Sequence, residues 1–144
     1  MPRLFTIGYE GKTQSEFLDE LGAAGVAHLI DVRAIAASRR PGFSKTALAA
    51  GLAERGIFYL HLRALGTPAA GRQAARAGRT GEMRAIYADQ LETPEAAVAL
   101  EQALEAASER PCALLCYERE ASDCHRSMLA DLMVGRAGFE VTDL

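Results

Sequence analysis

The feature that most constrains this chain is an alternation. Short, nearly unbroken apolar runs (LFTIGY, VAHLIDVRA, IFYLHLRAL, PCALLCYE and FEVTDL) are separated by segments whose apolar residues recur at helical spacing. A strand apolar on both sides needs cover on both sides, and intervening helices supply it. The expectation is an α/β fold: a three-layer sandwich with a mostly parallel sheet of about five strands and helices on both faces. With 144 residues, no repeat and no linker, residues 1–144 read as a single domain.

The helices have local signatures. TQSEFLDELGAAG places Phe17, Leu18 and Leu21 on one face, with Gly22 or Gly25 as a stop. FSKTALAAGLAERG has Ser44 as its expected N-cap and Gly56 past its end. MRAIYADQL and PEAAVALEQALEAASER read as two further helices, and DCHRSMLADLMVGRAG as the last. Asp123 or Ser122 would cap that last helix, making Cys124, His125 and Arg126 its first residues if Asp123 is the cap. Between Gly66 and Gly81 the chain is rich in Gly, Ala and Arg with little core pattern. It reads as a long loop, either a ligand-gripping lid or a loop with no task.

Composition narrows the classes. The chain is 49% hydrophobic and 24% charged, with three cysteines in no framework spacing. No apolar run suits a signal peptide or membrane span. A cytosolic protein with free thiols is the simplest expectation. The net charge of −3 hides an asymmetry. From Arg33 to Arg84 ten basic residues face only Glu54 and Glu82; from Ala85 to Asp123 nine acids face only Arg110 and Arg119. Such segregation either creates a positive field suited to an anionic ligand or is neutralised when the segments lie together.

In open α/β sheets ligands gather beyond the carboxyl ends of the strands. There the sequence places Tyr9 and Glu10 after the first strand, and Asp31, Arg33, Ser38 and Arg39 after the second. His61 lies near the end of the third, and Cys116 and Glu118 lie at the end of the fourth. A thiol at a helix N-terminus tends toward thiolate, and an anion beside Arg126 is favoured there. Each residue also has a plainer role: Asp31 and Arg33, two apart on a strand, could pair with each other. Cys112 and Cys116 could be core hydrophobes, and His61 a satisfied half-buried histidine.

Familiar motifs are absent. A Cys-x5-Arg loop would need Arg at 122 or 130, where Ser and Ala stand. GYEGKT lacks the first Gly of a P-loop, and no dinucleotide fingerprint occurs. No cofactor is indicated. Cys116, Cys124 and His125 could supply three metal ligands, though their spacing fits no standard zinc pattern.

FTIGYEG, LIDVRAIAASRRPGFSKTAL, GIFYLHLRALGTP and ALLCYEREASDCHR together resemble the successive signatures of the DUF488 family, small bacterial and archaeal proteins without an assigned function. The resemblance spans nearly the whole chain, with CYE…CHR its most specific part, and implies a compact α/β fold. The family's recurring polar and turn positions fall here on Gly8, Tyr9, Asp31, Arg33, Ser38, Arg39, Pro41, Phe43, His61, Leu65, Gly66, Cys116, Glu118, Cys124, His125 and Arg126. Where the family often has a proline shortly after Asp-Val-Arg, this chain has Ala34-Ile35-Ala36, which leaves the conformation of that turn open.

The functional expectation is an enzyme of hydrolase or transferase type binding an anionic small molecule, a nucleotide or sugar phosphate. Arg33, Arg39 and Arg126 would neutralise charge, with Tyr9, Glu10, Asp31, Ser38 and His61 also lining the site. Cys124 or Cys116 would be the thiol, His125 the basic neighbour and Glu118 the general acid/base. The alternatives are a metal-binding protein or a nucleic-acid module, the last disfavoured by net charge, the absence of Trp and 6% aromatics.

Overall fold

The computed structural model of the protein describes residues 2–119 and 125–144. Five strands, β1 (Arg3–Gly8), β2 (His28–Asp31), β3 (Phe58–His61), β4 (Cys112–Cys116) and β5 (Glu140–Asp143), form one sheet in the order β3-β2-β4-β1-β5. Every pairing is parallel. The fold is α/β, as the alternation of apolar runs requires. β4 lies in the middle, with Gly8 opposite Cys116 and Asp31 opposite both Leu115 and His61. The carboxyl ends of four strands therefore meet along one rim.

The period-two alternation of the strands divides the core into two layers. Phe5, Ile7, Leu29, Ala113 and Leu115 face one side, with helices α1 (Gln14–Ala24) and α2 (Lys45–Glu54) over them. Leu4, Ile30, Cys112 and Leu114 face the other, beneath α5 (Pro94–Glu109) and α6 (Arg126–Ala137). Each large apolar side chain buried this way contributes roughly 1.5–3 kcal/mol of transfer free energy. α5 supplies Ala96, Ala99, Leu100, Ala103 and Ala107 from a single face. Its small residues bring the helix close to the sheet.

Local chemistry sets the helix ends. Thr13 and Glu16 form a reciprocal capping box at the start of α1, and Gly25, at φ 78°, ends it in the left-handed conformation. Thr93 caps α5 with Pro94 in the first turn. Ser44 is the N-cap residue of α2, but its hydroxyl donates to the Ser38 carbonyl and accepts from the Ser38 N–H instead.

One expectation is corrected here. The stretch from Gly66 to Gly81 is more than half helical, containing all of α3 (Ala69–Arg76) and the start of α4 (Thr80–Leu91), the helix expected over MRAIYADQL, and α3 and α4 form a hairpin. Gly71 allows the close approach, since a Cβ there would meet Thr67 Cγ2 at 2.5 Å and Ile86 Cγ2 at 3.2 Å. The hairpin has its own small core of Ala74, Met83 and Tyr87. The last helix, α6, is described from Arg126, with His125 in helical backbone before it. Residues 120–124, including Ser122, Asp123 and Cys124, lie outside the described residues. Among those described, no helix is long and apolar enough to cross a membrane.

Candidate functional site

At the end of β2 the backbone leaves the sheet, and Asp31 turns to serve the fold. Its buried carboxylate accepts from Arg33 Nε at 2.8 Å and Nη2 at 2.7 Å, from the Arg33 N–H at 3.1 Å and from the Tyr59 hydroxyl at 2.5 Å. Arg33 Nη1 donates to the Phe43 carbonyl at 2.6 Å. Burial alone would disfavour the Arg33 charge, but hydrogen bonds and charge from Asp31, helped by Tyr9, outweigh it and raise the pKa. Burial and the Asp31 hydrogen bond likewise raise Tyr59. The guanidinium lies over the Tyr9 ring, 5.4 Å from its centroid, and Tyr9 stacks on Phe43 at 4.5 Å. Arg33 is therefore paired inside the protein, as the ion-pair alternative has it, while still contributing to the lining of the cavity described below.

Neighbouring residues are similarly engaged. His61 Nε2 lies 2.8 Å from the Arg33 carbonyl, which can only accept, so this nitrogen carries the proton. Ser38 is interlocked with Ser44 and also accepts from the Arg40 N–H at 3.1 Å. Arg39 is exposed and does not line the rim cavity. Ser38 and His61 shape the wall rather than lining the cavity.

At the end of β4, Gly8 has a steric task. A Cβ there would lie 1.7 Å from the Glu118 carbonyl oxygen and 2.9 Å from Arg126 Nη1. That missing side chain lets the chain after β4 settle over β1. Arg126, fully buried, donates from Nη1 to Cys116 Sγ at 3.1 Å and to the Glu118 carbonyl at 2.5 Å, and from Nη2 to the Arg119 carbonyl at 3.1 Å. Glu10 Oε1 accepts the Arg119 N–H at 2.9 Å. Arg126 thus organises the segment carrying Glu118, a different task from meeting a ligand at the surface.

The cysteines differ. Burial pushes the Cys112 thiol up to about 12, so it remains protonated and unreactive at neutral pH. Cys116 is disulfide-bonded, which corrects the expectation of free thiols throughout. Its Sγ also lies 3.4 Å from Glu118 Oε2. Among the described residues no three His, Cys, Asp or Glu side chains gather as metal ligands.

His125 is buried, with Nε2 2.9 Å from the Val32 carbonyl and its ring edge-on to Tyr87 at 4.9 Å. Burial is the main cause that lowers its pKa to about 4; the Val32 hydrogen bond opposes this and the charge of Arg126 adds to it. The imidazole is therefore neutral at physiological pH, a weaker base than an ordinary histidine. Tyr87 also donates from its hydroxyl to the Leu65 carbonyl at 2.8 Å. Gln90 holds the Ala64 carbonyl at 2.9 Å, so α4 is tied to the 3-10 turn Arg63–Leu65.

These pieces enclose a cavity of ≈ 680 Å³ at the carboxyl rim. Tyr9, Glu10, Cys116, Tyr117, Glu118 and His125 line the sheet side, with Arg33, Ala34 and Ile35 after β2. The opposite wall comes from the hairpin, with Thr67, Arg72, Arg76, Thr80 and Met83. Arg72 and Arg76 are one turn apart on α3 and so share a face. Arg72 donates one N–H to the Thr67 carbonyl, and Arg76 is exposed and in no ion pair among the described residues. Sequence reasoning flagged the basic segment without singling out this pair. The i, i+4 spacing in GRQAARAGR was the available signal.

A parallel sheet with a cavity of mixed apolar and charged lining at its carboxyl rim defines an α/β protein of the open-sheet class, in which that rim is the usual ligand position. Within that class the chain belongs to the DUF488 family, described as a domain of unknown function, whose pattern matches residues 13–133. No curated protein and no solved structure matches the chain.

Proposed function

We propose that the rim cavity binds an anionic small molecule, a phosphorylated compound, and supports hydrolysis or group transfer on it. The observation that carries this reading is the pairing of Arg72 and Arg76 on one face of α3, across a cavity whose other wall bears Glu118, His125 and Cys116. Guanidinium groups are suited to bidentate phosphate recognition, and a partly enclosed cavity weakens competition from water. Glu118 is the candidate general acid/base, and neutral His125 a hydrogen-bonding partner within the site. With the protein's thiols reduced, Cys124 is the candidate nucleophile from its place in the CYE…CHR stretch. Cys116 would contribute thiol chemistry only after reduction of its disulfide.

Calorimetric titration with inorganic phosphate and pyrophosphate tests the binding step. Replacing Arg72 and Arg76 together with Ala should weaken binding by about tenfold or more, since hydrogen bonds to charged groups contribute roughly 1.5–3 kcal/mol. Unchanged binding in that variant would remove the cavity as the anion site. Turnover of p-nitrophenyl phosphate tests the chemistry: Glu118→Gln should lose activity while retaining phosphate binding.

A further inference from the structure

We infer that the ligand of this cavity carries a planar aromatic group joined to its phosphate, which makes a nucleotide its natural chemical class. The inference rests on the anion-binding reading above and concerns the opposite side of the same cavity. Ile35 and Tyr117 are two of the most exposed large apolar residues described, at 59% and 49%, and both line the cavity. They follow β2 and β4, which pair directly in the sheet, so the two side chains flank one stretch of the rim.

Tyr117 is held from behind by an edge-on contact with Tyr9 at 5.3 Å, and Tyr9 is fixed in turn by its stack on Phe43. An exposed ring with a packed support is pre-oriented at little entropic cost, the condition that favours stacking a flat partner. Inorganic phosphate or a bare sugar phosphate would leave this lip unused. A nucleotide would place its base against Tyr117 and Ile35 and its phosphate at Arg72 and Arg76. The Glu10 and Glu118 carboxylates of the same cavity are acceptors suited to sugar hydroxyls. At ≈ 680 Å³ the cavity falls in the range of sites for ligands of that size.

The test is calorimetric titration of the full chain with AMP, GMP, CMP, UMP, ribose 5-phosphate and inorganic phosphate. At least one nucleotide should bind about tenfold or more tightly than ribose 5-phosphate, the scale of one base–aromatic stack. Tyr117→Ala should erase that advantage and Tyr117→Phe should keep it. If Tyr117→Ala does not fold, as judged by circular dichroism, Ile35→Ala takes its place with the same loss expected. Equal affinities across the panel, or an advantage that survives these substitutions, would overturn the nucleotide inference. The anion reading would then stand if the Arg72 and Arg76 substitutions still weakened phosphate binding. Absence of binding by every probe would overturn both.

Discussion

The end of β2 and the α3–α4 hairpin both bring arginine to the same cavity, and they treat it oppositely. Arg33 is buried against a carboxylate, a carbonyl and an aromatic ring, with its charge matched by Asp31 before any ligand arrives. Arg72 and Arg76 sit on a short helix whose buried residues are only Gly71 and Ala74, and neither is paired with a carboxylate among the described residues. The difference is one of desolvation. Removing a guanidinium from water demands a partner, whereas a guanidinium left at the surface remains available. The first region sets the shape of the wall, and the second leaves charge facing the cavity.

The largest effect should come from breaking the pair that serves the fold. Asp31→Ala would strand Arg33 beside Tyr9 and Phe43, and urea unfolding should show a loss of about 3–5 kcal/mol. A cost below about 1 kcal/mol, the level of an exposed pair, would erase the contrast.

His125 gives the next effect, through pH. Its folded-state pKa of about 4 lies below the ordinary value of 6.5. The unfolded chain therefore binds the extra proton between those values. The contribution is complete above about pH 6.5 and is lost as pH falls toward about 4, up to roughly 3 kcal/mol. Unfolding measured across that window should show stability rising with pH, and His125→Gln should flatten the rise.

A smaller cost is expected where the hairpin joins the body. Tyr87→Phe removes the hydroxyl that satisfies the Leu65 carbonyl, a loss of about 1–2 kcal/mol. Hydrogen exchange should report faster opening of α4 than of β4, which would separate the two regions dynamically. Smallest of all, Arg76→Ala should change stability by less than about 0.5 kcal/mol. A large destabilisation would place Arg76 with Arg33, as part of the fold.

What the sequence disclosed follows the range of the interactions involved. The capping box at Thr13 and Glu16, the Thr93-Pro94 start of α5 and the strands apolar on both faces depend on neighbours in the chain. Asp31 and Arg33, two apart, were recognisable as a possible pair for the same reason. The α3 half of the hairpin was not, because Gly71 and Ala74 pack by closeness and leave no broad apolar stripe, whereas most of α4 was readable in MRAIYADQL. Nor could the sequence show that Arg126 points inward to hold Glu118 and Arg119. That depends on Gly8, over a hundred residues away, having no side chain. The rim was legible; which of its cations remained available was decided by tertiary contacts.

Tyr87 joins matters that are usually kept apart. Its hydroxyl fixes the hairpin to the 3-10 turn, and its ring lies against the imidazole of His125. A ligand that draws α3 and α4 inward would shift that ring, and with it the proton affinity of the histidine. Linkage then runs both ways: protonating His125 would alter ligand affinity by the same factor. Affinity for a ligand of the cavity would thus acquire an acid limb that begins at a histidine of the cavity's own lining.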